Sequence, residues 1–116
     1  MLTIYTLKTC DTCKKALKWL NENEVAHKNH DVRVDGLTRE IVVDLVNVLG
    51  VEAAVNKRST TWRDLSDQQK DGLAKESAIS LIEANPTLLK RPVFVFDDQI
   101  IAGFHDAVKQ KILAQS

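Results

Sequence analysis

The segment that most constrains the fold is a strand followed at once by a helix, with two cysteines at the junction. Residues 2–7 are rich in β-branched and aromatic side chains and predict a first strand. After a short break, apolar residues recur at the i, i+3, i+4 and i+7 spacing of one helix face: Cys13, Ala16, Leu17 and Leu20. The two cysteines, Cys10 and Cys13, therefore stand one turn apart at the start of the predicted helix.

A weak strand over residues 25–32 is followed by a middle segment with several helix signals. Thr38 can cap one helix, and Gly50 is a natural stop for it. A capping box over residues 66–69 opens another helix, and a further helix is predicted over residues 77–84.

The last third of the chain predicts a hairpin of strands and a final helix. The apolar run of residues 93–96 is typical of a strand buried on both faces, and residues 99–102 form a second strand after a turn at Asp97-Asp98. The final helix has one apolar face made of Phe104, Val108 and Ile112. The order of elements predicts an α/β fold with a central mixed four-stranded sheet and inserted helices, in one domain over residues 1–116.

Composition argues against several classes of protein. The chain has 16 Lys and Arg against 16 Asp and Glu, without the basic excess typical of nucleic-acid-binding domains. Its first residues have no basic region before an apolar run, and no segment is long enough to span a membrane. We therefore expect a cytoplasmic monomer that binds neither nucleic acid nor membranes.

In a compartment where thiols are kept reduced, a C-x-x-C pair favours catalysis, redox sensing or metal binding over a structural disulfide. Cys10 is predicted at a helix N-terminus, where free N–H groups and the helix dipole stabilise a thiolate, and Lys8 adds positive charge nearby. Cys13 is predicted to be more buried and less ionised. We expect Cys10 to attack a disulfide or an oxyanion and Cys13 to resolve the mixed disulfide; the alternative for Cys13 is a small core residue.

A zinc site is the alternative interpretation of the same motif. Cys10, Cys13, His27 and His30 approach the spacing of a site with two cysteines and two histidines. The two histidines are separated by only two residues, and on a strand that spacing puts them on opposite faces. We therefore predict no metal site.

Two further segments carry groups that can bind an anion. Arg91 and Pro92 precede the buried strand, and an arginine facing Cys10 supplies a rigid fork for an anionic substrate. The loop over residues 58–63 can form a pocket for an anion or a peptide carboxylate through Arg58, Thr60, Thr61 and Trp62. The alternatives are an exposed arginine and a solvated loop anchored by its tryptophan.

Four ordered blocks resemble the arsenate reductase-like family, which includes the ArsC reductases and the Spx regulators. The blocks are residues 8–12, 31–37, 56–63 and 89–92. The resemblance spans essentially the whole chain and is closest to the YffB-type branch. It implies a thioredoxin-like fold of ArsC type, a nucleophile at Cys10, a cis proline at Pro92, and Arg58 and Arg91 near the thiol. It also implies glutathione as co-substrate, with glutaredoxin as a further candidate partner and no tightly bound cofactor.

Two departures from the family pattern bear on function. The YffB-type branch usually has an apolar residue where Cys13 stands, and the second cysteine resembles the redox switch of Spx. Arsenate reductases of the family carry a third arginine after the last strand, whereas residues 103–106 here read Gly-Phe-His-Asp. The expected function is a glutathione-dependent thiol–disulfide oxidoreductase. The alternatives are an Spx-like redox-sensing regulator that binds RNA polymerase and a glutathione- or glutaredoxin-dependent arsenate reductase.

Overall fold

The computed structural model describes residues 2–96 and 99–115. Contacts within the chain divide it into two compact units, one made of Met1–Asp31 with Arg91–Ser116 and the other of Val32–Lys90. The helices and strands, in chain order, are β1 (Leu2–Thr6), α1 (Asp11–Glu22), β2 (His27–Asp31), α2 (Arg39–Leu49), α3 (Val51–Ala54), α4 (Thr60–Arg63), α5 (Asp67–Asp71), α6 (Lys75–Ala84), β3 (Val93–Phe96), β4 (Gln99–Ala102) and α7 (Asp106–Gln115). That residues 1–116 form a single domain stays a prediction.

The first unit is built on a mixed four-stranded sheet, which confirms the predicted fold class. The strand order is β2-β1-β3-β4. β1 runs parallel to β2 and antiparallel to β3, and β4 returns antiparallel beside β3. The predicted hairpin is therefore present, while the predicted turn at Asp97-Asp98 lies outside the described residues.

One face of this sheet and two helices enclose the core of the first unit. Side chains alternate between the two faces of β1, so that Leu2 and Ile4 are buried and the residues between them are less so. They pack with Phe94 and Phe96 of β3, with Ala16 and Leu20 of α1, and with Val108 and Ile112 of α7. Burial of a large apolar side chain of this kind contributes about 1.5–3 kcal/mol. The N-terminus of α1 is thus held by the helix's own buried face.

The second unit contains five α-helices, α2 to α6, and a short 3₁₀ helix over Pro86–Leu88. The hydroxyl of Thr38 accepts the N–H of Ile41 at the start of α2, and Gly50 ends that helix with a positive φ of 84°, as predicted. The capping box over residues 66–69 is confirmed at α5. Helix α6 begins at Lys75, two residues before the predicted start, because the Ser77 hydroxyl accepts the N–H of Ala74 from inside the first turn.

The sequence also predicts no membrane-spanning segment. Across residues 2–96 and 99–115, none of the helices is both long enough and apolar enough to cross a bilayer.

Candidate active site

Cys10 occupies the N-cap position of α1. Its backbone is extended, its N–H donates a 2.9 Å hydrogen bond to the carbonyl of Leu7, and its own carbonyl accepts the N–H of Lys14 at 3.0 Å. The first N–H groups of a helix have no partner within the helix, so an anion at this position is stabilised. Cys10 is a free cysteine of intermediate exposure.

Contacts around Cys10 favour its ionised form. Burial on its own raises the pKa of the Cys10 thiol, but hydrogen bonds from the N–H and the thiol of Cys13, the positive charge of Arg91 and the N–H of Thr12 together lower the pKa below its ordinary value. Because the thiolate is the nucleophilic form of cysteine, a lowered pKa increases the reactive fraction at neutral pH.

Cys13 has the opposite character. Its side chain is 1% exposed, and burial raises its pKa to about 12. The hydrogen bond to Cys10 and the charge of the Cys10 thiolate act in the same direction, while the N–H of Leu7 and the charge of Arg91 oppose them. Cys13 is therefore a protonated donor to Cys10 in the reduced protein.

Arg91 and Pro92 lie at the entry to β3. The Arg91–Pro92 peptide bond is cis, as the family resemblance implies. Pro92 is buried, and its carbonyl accepts the N–H of Gly103 at 2.8 Å. Arg91 is half-buried, and its positive charge lowers the pKa of both cysteines. The arginine before the proline thus faces the cysteine pair.

A cleft of about 360 Å³ opens beside Cys13, between α1 and β2. Its lining consists of Thr6, Leu7, Lys8, Cys13, Lys14, Leu17, Asn29 and Asp31. The hydroxyl of Thr6, 1% exposed, donates a hydrogen bond to Oδ1 of Asn29, and the N–H of Lys8 donates to Oδ2 of Asp31 at 2.9 Å. Lys8, a predicted binding residue, therefore borders a cleft that includes one of the two thiols.

The other predicted binding residues belong to the second unit. Thr60 and Thr61 lie in the single turn α4, and the Thr61 hydroxyl is hydrogen-bonded to that of Thr87 at 2.6 Å. Arg58 is exposed and lines a polar cleft of about 330 Å³ with Lys57, Lys90 and other residues. That Arg58, Thr60 and Thr61 approach Cys10 stays a prediction.

Trp62 supports the alternative interpretation of the same loop. The indole is half-buried, and the ammonium groups of Lys57 and Lys70 lie 5.7 and 5.9 Å from its ring centroid. Such cation–π contacts hold a tryptophan against its surroundings. They are compatible with an anchoring role for Trp62.

The histidines of the zinc alternative have other contacts. Nδ1 of His27 lies 2.8 Å from the carbonyl of Val25, and the ring of His30 packs on Tyr5 with 4.8 Å between centroids. Within the described part of the chain, no three His, Cys, Asp or Glu side chains are grouped closely enough to hold a metal ion.

Asp31 is a site residue that the sequence analysis did not assign a role. It is the β2 partner of Thr6 in the parallel ladder, which brings its carboxylate to the cleft beside Cys13. The pairing register of two strands separated by a helix is set by tertiary packing. The position of Asp31 in one of the four family-like blocks was the signal available in the sequence.

Comparison with known proteins identifies the family. The model of the ArsC family matches residues 5–112. This chain belongs to the ArsC family. An uncharacterized protein from Haemophilus influenzae is 46% identical over 98% of this chain and 100% of its own length. The global transcriptional regulator Spx from Streptococcus mutans is 30% identical over 91% of this chain and 78% of its own length.

Comparison with solved structures supports the assignment of this chain to the ArsC family. A structure described as the YFFB protein has a TM-score of 0.92 and 34% sequence identity, over 97% of this chain and 99% of that one. The resemblance predicted from the four sequence blocks is confirmed, and so is the thioredoxin-like fold of ArsC type.

In this ArsC-family protein, replacing Arg91 with alanine is expected to raise the pKa of Cys10. The substitution removes a positive charge that favours the thiolate, while Arg91→Lys keeps a charge at the same place. The rate of Cys10 alkylation by iodoacetamide against pH gives the pKa as its midpoint. The midpoint should move to higher pH in Arg91→Ala and move less in Arg91→Lys. An unchanged midpoint in Arg91→Ala would show that the charge does not act on the sulfur.

Proposed function

We propose that this ArsC-family protein is a cytoplasmic, monomeric, glutathione-dependent thiol–disulfide oxidoreductase with Cys10 as its nucleophile. The observation that carries the proposal is a partly exposed thiol at a helix N-cap whose pKa is lowered by Cys13 and Arg91. Glutathione carries two carboxylates, and a guanidinium group matches a carboxylate in charge and shape. Arg91 is therefore proposed to hold the glutathione part of the substrate.

The proposal includes five further binding residues. Lys8 supplies a second positive charge at the border of the cleft beside Cys13. Pro92, directly after Arg91 in the chain, is proposed as a further binding residue. Arg58, Thr60 and Thr61 are proposed as further substrate-binding residues.

The reaction proceeds by two exchanges at sulfur. The Cys10 thiolate attacks the glutathione sulfur of a mixed disulfide, the substrate leaves as a thiolate and takes a proton from water, and a Cys10–glutathione disulfide forms. A second glutathione thiolate then attacks the glutathione sulfur of this disulfide, or Cys13, after loss of its proton, attacks the Cys10 sulfur. The first route releases oxidised glutathione, and the second gives a Cys10–Cys13 disulfide that two glutathione molecules reduce. Glutathione supplies the electrons in both routes.

The test is the reduction of the mixed disulfide between glutathione and 2-mercaptoethanol, with glutathione reductase and NADPH as the coupled readout. The protein should increase the rate in proportion to its concentration and only when glutathione is present. A rate no higher than that of glutathione alone would contradict the proposal.

Substitution of Cys13 separates its donor role from its thiol chemistry. Cys13→Ser keeps a hydroxyl that can donate to Cys10, whereas Cys13→Ala removes the donor. We therefore expect the pKa of Cys10 to rise in Cys13→Ala and to rise less in Cys13→Ser, measured by alkylation against pH. Equal midpoints in the two variants would show that the hydrogen bond does not stabilise the thiolate.

A second candidate function is a redox-switched regulator of the Spx type that binds RNA polymerase. Two observations favour it: the adjacent free thiols of Cys10 and Cys13, and the 30% identity to a global transcriptional regulator. A pull-down with purified RNA polymerase, with the protein oxidised and reduced, tests this function. If the protein binds the polymerase in neither state, this second function is excluded.

Arsenate reduction is not proposed, because residues 103–106 contain no arginine.

A further inference from the structure

The cleft between α1 and β2 is lined both by a carboxylate and by the resolving thiol of the proposed reaction. Cys13 and Asp31 both line it. In the Cys13 route of the proposed function, a buried thiol must lose its proton before it attacks the Cys10 sulfur. A buried thiol ionises poorly, so a nearby proton acceptor accelerates this step.

Neighbouring backbone groups hold the two side chains in one place. The N–H of Leu7 faces the Cys13 sulfur, and the N–H of the next residue, Lys8, donates a 2.9 Å hydrogen bond to Oδ2 of Asp31. On the other side, Asp31 is aligned with Thr6 in the parallel β1–β2 ladder. The turn that follows β1 thus contacts both the thiol and the carboxylate.

The cleft has room for a proton to move between them. Its volume is about 360 Å³. One water molecule occupies about 30 Å³ in the liquid, so several fit, and polar groups are present to bind them. A short chain of water molecules can therefore connect the thiol of Cys13 with the carboxylate of Asp31.

The other groups facing the cleft are poor proton acceptors. Lys8 and Lys14 carry side chains that donate hydrogen bonds and do not accept them. Among the described residues that line the cleft, Asp31 carries the only carboxylate. The Thr6 hydroxyl and the Asn29 amide bond to each other. Asp31 therefore carries the carboxylate that can accept a proton in this cleft.

We propose that Asp31 accepts the proton of Cys13, through water in the cleft, as Cys13 attacks the Cys10–glutathione disulfide. The Cys13 sulfur bonds to the Cys10 sulfur, the bond between Cys10 and glutathione breaks, and glutathione leaves as a thiolate. The proton passes from Cys13 to the carboxylate of Asp31, which then loses it to solvent. No further oxidant or reductant takes part, because the disulfide already present is exchanged for another.

Rapid mixing of the reduced protein with oxidised glutathione tests this step. Acid quenching and mass spectrometry distinguish the reduced protein, the Cys10–glutathione adduct and the intramolecular disulfide. Asp31→Asn is the informative variant, because its amide oxygen can still accept the N–H of Lys8. Asp11→Asn, at the exposed first residue of α1, is the matched control and removes the same charge outside the cleft.

Asp31→Asn should form the adduct at a rate within about twofold of wild type and convert it to the intramolecular disulfide on the order of 10²-fold more slowly. Asp11→Asn should match the wild-type protein in both steps. Conversion by Asp31→Asn at the wild-type rate would overturn the inference. Failure of the wild-type protein to form any adduct would instead contradict the proposed function, so the two failures are distinct.

The pH profile of the wild-type protein gives a second measurement that does not depend on the folding of a variant. With Asp31 as acceptor, conversion of the adduct should rise by less than tenfold per pH unit between about pH 6 and 8, because proton transfer to a general base replaces prior ionisation of the thiol. A full tenfold rise per unit would mean that free thiolate attacks without assistance, and would overturn the inference. Asp31→Asn should show that steeper profile.

Discussion

Replacing Cys10 with serine is expected to lower the rate of reduction of a glutathione mixed disulfide by about 10³-fold or more. A serine hydroxyl is not ionised near neutral pH, so the N–H groups of Thr12 and Cys13 and the charge of Arg91 have no thiolate to stabilise. Sulfur exchange also requires a sulfur atom to form the intermediate disulfide. Serine is a favourable N-cap residue, so α1 should remain intact.

The measurement is the coupled assay with glutathione reductase at equal protein concentrations, with circular dichroism to show that the variant is folded. Thr9→Ser serves as the control, because it changes an exposed neighbour of Cys10 and should keep the wild-type rate. Activity of Cys10→Ser within tenfold of wild type would place the nucleophile at another residue.

Local sequence signals were sufficient for the part of the site that lies at the start of α1. The strand, the break at Cys10 and the apolar spacing from Cys13 follow from local patterns, and the structure has the helix starting at Asp11 with Cys10 as its cap. The same signals predicted a lowered pKa for Cys10 and a buried Cys13. The helix N-terminus at Cys10 and the position of Cys13 on the apolar face are local features, and these two features were the basis of both predictions.

Contacts between distant segments were the part that local signals did not determine. Local spacing predicted positive charge only from lysines close in sequence, and the family resemblance was needed to place Arg91 near the thiol. The charge of Arg91 does lower the pKa of Cys10. The cis peptide bond before Pro92 was predicted from the resemblance to the ArsC family and not from the local sequence pattern. Asp31 lies at the cleft because of the parallel register between β1 and β2, and no local sequence pattern specifies that register.

Ser77 shows why helix boundaries are harder to predict than helices. A serine before an apolar run resembles an N-cap, which would place its hydroxyl ahead of the helix. In the structure, the hydroxyl points back from the first turn to the N–H of Ala74. The same hydrogen-bonding capacity satisfies the helix N-terminus from either position, and the sequence alone does not distinguish them.

Replacing Phe94 with alanine is expected to cost about 3–5 kcal/mol of the free energy of unfolding. Phe94 lies on β3, which is central in the sheet: Ile4 is its partner on one side and Ile101 on the other. Its side chain is 0% exposed, and its ring lies 6.3 Å from that of Phe104. Removing the ring leaves a cavity in the core that also supports α1, and domains of this size have only about 5–15 kcal/mol in total.

Urea denaturation followed by circular dichroism gives this free energy from the midpoint and the slope. The matched control is Leu113→Ala, which also truncates an apolar side chain but at a position that is 46% exposed, so its cost should be within about 0.5 kcal/mol. Equal losses of unfolding free energy in the two variants would mean that Phe94 is not a core residue.

Because β3 begins directly after Arg91 and Pro92, the Phe94→Ala protein should also have a higher Cys10 pKa if loss of the ring displaces the arginine. An unchanged alkylation midpoint would show that the charge is held by the strand backbone independently of the core beneath it.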